Sequence, residues 1–340
     1  MSKVLIITYT EDNECIERVT EKLEAKGSEV IRFDTDMYPG ETTLTSSFTQ
    51  GKWQHALHQR GVTHDLSDLT AIWYRRQRLG EGLAKRIEQK YWSSARQEAD
   101  YSFQGFMLSQ TSFILDPVWR VKAAGSKQLQ LQLAHQLGLN IPETLISNDP
   151  QQMRGFYQAQ TTESREVITK MQASFAIMEQ GKETVVFTNV LQPEHLEDSE
   201  SLTLCPMQFQ TKEEKAVELR VTVVGTQIFA WEIDSQSSEA AKHDWRRDGA
   251  NMLDQWKPHA LPQPVADALL KLMDALMLNY GAADFIVTPE GKYVFLEVNP
   301  SGEFFWLDRL EEDHAISEAL ARVLVGEVPR RHQPYPSPTA

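Results

Sequence analysis

ADFIVTPEGKYVFLEVNPSGEFFW, residues 283–306, is the stretch on which the reading of the whole chain turns. Phe285, Ile286 and Val287 have strand character, as do Tyr293, Val294, Phe295 and Leu296, and Pro289, Glu290 and Gly291 supply turn chemistry between them. Glu297 and Asn299 lie two apart and so share a face of the second strand. If the turn sets Thr288 opposite Tyr293, Asp284 faces Glu297 and three oxygen-bearing side chains converge. A three-residue loop would slip the register by one and send Asp284 to the other face. Such hard oxygen ligands suit Mg²⁺ held jointly by protein carboxylates and substrate phosphates. The plainer reading is an exposed hairpin with ordinary surface acids. Against it, Glu297 and Asn299 interrupt a run that is otherwise apolar on both faces.

Upstream, residues 264–278 have the spacing of an amphipathic helix with Leu269, Leu272, Met273 and Leu276 inward. Before it, residues 217–224 alternate as a strand, Gly225 and Thr226 turn the chain, and residues 227–233 return. Glu218 and Arg220 share one face of the first strand, and residues 243–247 (HDWRR) form a polar loop. Residues 204–210 are apolar and extended, leading into TKEEK. Val167, Ile168 and Thr169 form a strand ending in Lys170, whose ammonium needs a partner if buried: a nucleotide phosphate or a neighbouring acid. Farther upstream, Ser126 as N-cap and Gly138 as stop predict a helix, with Lys127 in its first turn. Helix N-terminal amides favour anions, so a lysine there is misplaced unless a phosphate lies nearby.

The chain opens as a strand over residues 4–9, a helix over 11–26 and a strand over 29–33, a βαβ unit that implies a parallel sheet. No Gly-x-Gly-x-x-Gly fingerprint accompanies it, so no dinucleotide is assigned. Asp34 and Asp36 stand where open α/β sheets place ligand contacts, or cap a turn before Pro39. Residues 40–70 read as a hairpin layer. A strand over 71–74 runs into Arg75, Arg76 and Arg78, which bind carboxylate or phosphate by bidentate contacts or pair with the many acids of a solvated loop. In the helical region over 83–108, the aromatic positions Tyr91, Trp92, Tyr101, Phe103 and Phe106 are expected to pack the core.

A length of 340 residues allows two or three packed subdomains. The formal charge of -14, from 34 basic and 48 acidic residues, argues against a nucleic-acid partner. Cys15 and Cys205 are too few for a disulfide framework or a cysteine zinc site. No stretch is apolar enough to span a bilayer, and the opening MSKVLIITYTEDNE is too short for a signal h-region, so no membrane partner and a cytoplasmic location are expected. The proline-rich end, RRHQPYPSPTA, lacks a packing pattern and reads as disordered.

In order, Lys127, Lys170, MQFQ, Glu218-Leu219-Arg220, Asp284 and Glu297-Val298-Asn299 resemble the ATP-grasp fold. LEVNPSGEFFW, FDTDMYP, IWYRR, KQLQLQLA, LCPMQFQ and HDWRR more closely resemble the microviridin-type, or graspetide, peptide-modifying ligases, a similarity running to about Gly326. The resemblance implies an α/β (α+β) ATP-grasp chain: an N-terminal βαβ pre-ATP-grasp domain over 1–118, a central subdomain over 119–206, a C-terminal catalytic subdomain over 207–326 and a disordered tail over 327–340. It implies ATP and Mg²⁺, with Lys127 and Lys170 on the phosphates, Met207, Gln208, Phe209 and Gln210 as the hinge against adenine, and Glu213 as the acid nearest the ribose position. Asp284, Glu297 and Asn299 match the metal ligands, and Arg220, with Arg246, the catalytic arginines. The turn over residues 172–181 is expected to close over the phosphates.

The implied partner is a ribosomal precursor peptide, with a leader and an acidic core, and the implied assembly is a homodimer. Arg75, Arg76, Phe187 and Asn189 are expected to face that peptide, and the acidic helix PEHLEDSESL reads either as one wall of a leader groove or as a solvated helix. WYRR, TKMQASFAI and GEFFW resemble the ester-forming branch, which joins Glu or Asp side chains to Ser or Thr as lactones. The alternatives are an amide-forming (lactam) graspetide ligase, a glutathione-synthetase-like carboxylate–amine ligase, and a nucleotide-gated peptide-binding protein without turnover.

Overall fold

The computed structural model of the chain describes residues 2–172, 176–179, 182–185, 188–197, 199–237 and 252–331. The chain begins with β1 (Lys3–Thr8), α1 (Cys15–Ala25) and β2 (Glu29–Asp34), and β1 and β2 pair in parallel. The helix starts four residues later than its spacing predicts, because Asp12 and Asn13 bond locally: Asp12 accepts from the Thr8 hydroxyl at 2.6 Å and Asn13 accepts from the Cys15 amide at 3.1 Å. Ile16, Val19 and Leu23 of α1 are fully buried against the sheet.

The polar stretch that follows forms the antiparallel layer β3 (Thr43–Thr49), β4 (Lys52–Gln59) and β5 (Val62–Asp65). β6 (Ala71–Tyr74) and β7 (Phe113–Leu115) complete a parallel sheet of order β2-β1-β6-β7, with α2 (Trp92–Ser109) between them in sequence. Of the aromatic positions expected in the core, Phe103 and Phe106 are buried, whereas Tyr91, Trp92 and Tyr101 are exposed. Residues 81–91 make short 3-10 turns rather than extending the helix, which leaves Tyr91 and Trp92 at its start. Asp34 is buried and engaged by Arg32 and Arg60, and Asp36 accepts the Thr10 amide, so both are structural.

After α3 (Val118–Ala124), Ser126 caps α4 (Lys127–Gln136) by accepting the Leu129 amide. Asp149 caps α5 (Pro150–Thr162), which joins β8 (Thr144–Ser147) to β9 (Val167–Lys170). A hairpin of β10 (Ala176–Glu179) and β11 (Lys182–Val185), the short β12 (Asn189–Val190) and α6 (Pro193–Glu197) lead to β13 (Met207–Thr211). The central sheet has the order β12-β9-β13-β8 and is antiparallel throughout. β13 therefore lies inside this sheet, between β9 and β8. Phe209, Val167, Met153, Leu191 and Leu202 form its core.

β14 (Val217–Val224), β15 (Gln227–Ile233), β16 (Lys257–Pro258), β17 (Tyr280–Val287) and β18 (Tyr293–Asn299) make the third sheet, in the order β16-β15-β14-β17-β18. Its back face, with Leu219, Val221, Phe285 and Phe295, packs on α4 and on α7 (Gln263–Ala275), so α4 is built into this unit although it precedes the central strands. α8 (Phe305–Arg309) and α9 (Ala315–Val325) follow. α9 buries Ile316, Ala319, Leu320, Ala321, Val323 and Leu324 between the N-terminal sheet and the third sheet, and one core runs through all three. Residues 327–331 pack back on the fold. Arg330 bonds the Val323 and Leu324 carbonyls, and the Arg331 amide donates to Asn279 at 2.7 Å, which pins residues just past 327. Residues 332–340 lie outside the described residues.

Candidate active site

The 283–306 stretch is a hairpin, but its turn differs from the predicted one. Val287, not Thr288, pairs with Tyr293, and Thr288 donates to the Lys292 carbonyl at 2.9 Å around a three-residue loop. By itself this register would turn Asp284 away from Glu297. A β-bulge between Phe285 and Asp284 takes up Leu296 as an extra residue, so Phe285 pairs with Phe295 while Asp284 pairs with Glu297. Phe285 and Phe295 thus pack edge-on at 5.4 Å in the back core, and both acids face the front.

On β14, Arg220 pairs with Asp284, so Arg220, Asp284 and Glu297 stand abreast on three adjacent strands. The Arg220 guanidinium donates to Asp284 at 2.7 Å and lies 5.4 Å from the centre of the Trp306 ring. Lys127, delivered by the first turn of α4, forms an ion pair with Glu297. Asn299 closes the group, its side-chain amide 3.3 Å from Asp284 and 3.4 Å from Glu297. β18 is an edge strand, and its open edge is covered by the fully buried Gln130 of α4. Gln130 accepts the Val298 amide at 2.8 Å and donates to the Val298 carbonyl at 2.8 Å and the Ala124 carbonyl at 2.6 Å. These contacts fix the helix that carries Lys127 to the strand that carries Glu297.

A divalent cation fits this donor set in part. Two carboxylates and an amide meet at one point, and turning the amide would direct its oxygen to that point. The buried Arg220 Nε has no hydrogen-bond partner. Among the described residues no group of three or more His, Cys, Asp or Glu side chains is placed to hold a metal alone. An ion here would draw its remaining ligands from phosphate oxygens or water, as hard octahedral cations commonly do.

On the central sheet, Lys170 pairs with Gln208, and Gln208 with Ile146, so the three side chains share a face. The backbone of residues 208–210 is taken up by β8 and β9 on either side. Buried Gln208 and Gln210 are therefore what β13 offers, and Gln210 donates to Thr144 at 2.9 Å. Glu213 accepts from Thr211 at 3.3 Å just beyond the strand. A cleft of about 640 Å³ runs along α4 beside β8, lined by Gln128, Leu131, Gln132, Ile141 and Ile146 among others.

The two arginines after β6 do not point away from the protein. Arg75 is 3% exposed and donates to the Ser301 carbonyl at 3.0 Å, and it also pairs with Glu303. Arg76, about a third exposed, reaches the other Glu303 oxygen at 2.6 Å and the Ser301 carbonyl at 3.2 Å. Both arginines therefore meet an acid of the protein itself, at a buried rather than a solvated position for Arg75. Asn189 is exposed on β12. Arg246 and Phe187, together with parts of the 172–181 turn, lie outside the described residues. Gln130, Glu303 and Trp306 did not stand out in the sequence, although Glu303 and Trp306 fall inside its decisive stretch.

A family model described as the MvdD pre-ATP grasp domain matches residues 3–122. A RiPP-associated ATP-grasp ligase of Chryseobacterium gregarium, solved in complex with ADP and a leader and core peptide, is 43% identical, with 98% of this chain and 100% of that one covered and a TM-score of 0.94. Macrocyclase MdnC of Microcystis aeruginosa MRC, bound with precursor peptide MdnA, is 40% identical over 95% of this chain and 99% of that one, with a TM-score of 0.86. MdnB of the same organism, also a macrocyclase, is 33% identical over 96% and 99%, with a TM-score of 0.78. No curated protein matches the chain. The fold is thus ATP-grasp, with a pre-ATP-grasp domain at its N-terminus. Within that class, the chain belongs to the RiPP-associated ATP-grasp ligases, the maturases of ribosomally made and then modified peptides.

Proposed function

We propose that this protein is an ATP- and Mg²⁺-dependent macrocyclase that closes ω-ester rings in an acidic ribosomal precursor peptide. The observation that carries the reading is the front face of the third sheet, where Arg220, Lys127, Asp284, Glu297 and Asn299 converge on one point. Support comes from the ligase 43% identical to this chain, which was solved with ADP and both parts of its peptide.

Lys127 and Lys170 hold the nucleotide phosphates, Gln208 and Gln210 line the base pocket, and the backbone contact to adenine falls to the chain just past Thr211. Glu213 is the candidate ribose acid. Asp284, Glu297 and Asn299 would hold Mg²⁺, which would supply positive charge against the crowded phosphate oxygens. In the first step a Glu or Asp carboxylate of the core peptide takes the γ-phosphoryl group, and ADP leaves. Arg220 stabilises the charge on the transferring group, so positioning and electrostatics supply the catalysis. In the second, a Ser or Thr hydroxyl attacks the acyl carbon, its proton is lost and phosphate departs, so each ring costs the peptide one water. An amide ring from Lys would follow the same course; the likeness of WYRR and GEFFW to the ester-forming branch favours the ester.

Phe187 and Asn189, with the helix from Pro193, form the proposed leader-binding wall, and Arg76 and Arg246 draw in the acidic core. A homodimer is the proposed assembly. Among the described residues no helix is long and apolar enough to cross a membrane. The test is incubation with ATP, Mg²⁺ and the precursor peptide encoded beside the gene. The expected product has lost one water per ring, with one ADP formed for each, and mild hydroxide reopens it. A ring that resists hydroxide would assign the amide, and nucleotide binding without any mass change would assign a binding protein.

A further inference from the structure

The loop from Pro300 to Phe304, directly after Asn299, is held from both sides. Tyr280 donates its hydroxyl to the Gly302 carbonyl at 2.7 Å, and the Gly302 amide donates back to the Asn299 carbonyl at 3.1 Å. A Cβ on Gly302 would lie 2.5 Å from the Ala282 Cβ and 3.2 Å from the Asn299 Cβ, so the loop backbone is pressed onto the residue that completes the acid cluster. The residues on either side of Gly302 are gripped by the N-terminal domain: Arg75 and Arg76 both bond the Ser301 carbonyl, and both pair with Glu303. Asn13 adds a third bond to Glu303 at 2.7 Å. Arg75 has no exposed surface to offer a substrate, its side chain being 2% accessible and also 3.9 Å from Asp12.

We infer that Arg75 is a positioning residue for the metal–nucleotide site: through Ser301 and Glu303 it fixes the 300–304 loop and with it the place of Asn299. The inference rests on the proposed role of Asn299 as a metal ligand. It assigns the pre-ATP-grasp domain a part in setting that site, and separates Arg75 from Arg76, which alone of the pair is accessible to a peptide. Residues that orient metal ligands commonly change metal affinity by about 10–100-fold when replaced.

The experiment is calorimetric titration of the full chain with ADP, without peptide, over a range of Mg²⁺ concentrations and again in chelator. Arg75→Gln is expected to raise the Mg²⁺ concentration for half-maximal binding about tenfold, and to leave the chelator titration unchanged because both lysines are intact. Arg75→Lys is expected to fall between. Arg76→Gln should keep the Mg²⁺ dependence and instead raise the peptide KM. Should Arg75→Gln not fold, Glu303→Gln replaces it, with a shift of the same sign. Mg²⁺ dependence equal to the parent, or a loss equally large in chelator, overturns the inference. A parent chain whose ADP binding ignores Mg²⁺ would instead remove the proposed role of the acid cluster.

Discussion

Asp284 and Glu297 each carry a cation of the protein's own, Arg220 on one and Lys127 on the other, and this decides what their removal does. Both pairs are half-buried, so neither carboxylate is lost without leaving a guanidinium or ammonium poorly compensated. Asp284→Asn keeps the shape and a hydrogen-bond acceptor for Arg220. The expected outcome is a protein that folds, with its melting temperature within a few degrees of the parent, but with kcat for ring closure lowered by roughly 10²-fold or more, as when one preorganised charge is taken from a phosphoryl-transfer site. Parallel thermal and steady-state measurements check it, and near-parent kcat would remove the metal role. Both acids were legible because they interrupt an apolar run. Arg75 was legible only as one of two alternatives, because its partners Ser301 and Glu303 lie more than 200 positions away and nothing local marks them.

At the scale of elements, the hairpin reaches its geometry by a route the sequence did not reveal. The turn slips by one residue, and Leu296 absorbs the slip as a bulge next to the acids. Turn composition identifies a hairpin; whether a strand then bulges depends on which side chains the sheet must bury, here Phe285 against Phe295. Gln130 escaped for a related reason. In KQLQLQLA the leucines attract attention, yet Leu129 is 38% exposed and Gln130 is fully buried, because the exposed edge of β18 needs a donor and an acceptor more than it needs another leucine. Gln130→Leu is of similar volume but strands the Val298 amide and carbonyl. With about 1–3 kcal/mol for each buried group left unsatisfied, urea unfolding should lose several kcal/mol. The Mg²⁺ requirement should rise as well, since α4 no longer locks Lys127 beside Glu297. An unchanged midpoint would show that water replaces the glutamine.

Of the five sheets among the described residues, the N-terminal parallel sheet and the C-terminal five-stranded sheet are joined by a continuous core through α9, and the central four-stranded sheet is attached through the strand connections around α4 and Thr211. Asp116 adds a polar tie between the first two: buried at the end of β7, it accepts the Asn279 and Tyr280 amides at 2.8 and 2.9 Å, and burial raises its carboxyl to about 6 despite these donors. The βαβ opening, the strands of the third sheet and the cap of α4 were readable from periodicity and capping residues. The placement of α4 on the third sheet and of β13 within the central one was not, since chain order says little about which sheet an element joins. In the proposed function one nucleotide and one cation share the acid cluster, with the cation on the 283–306 hairpin. A crystal structure of the chain with ADP and Mn²⁺ tests it most directly. The expected result is an anomalous Mn²⁺ peak about 2 Å from oxygens of Asp284, Glu297 and Asn299, bridging to phosphates held by Lys127 and Lys170. A peak elsewhere, or ADP bound with those carboxylates still closed on Lys127 and Arg220, would contradict it.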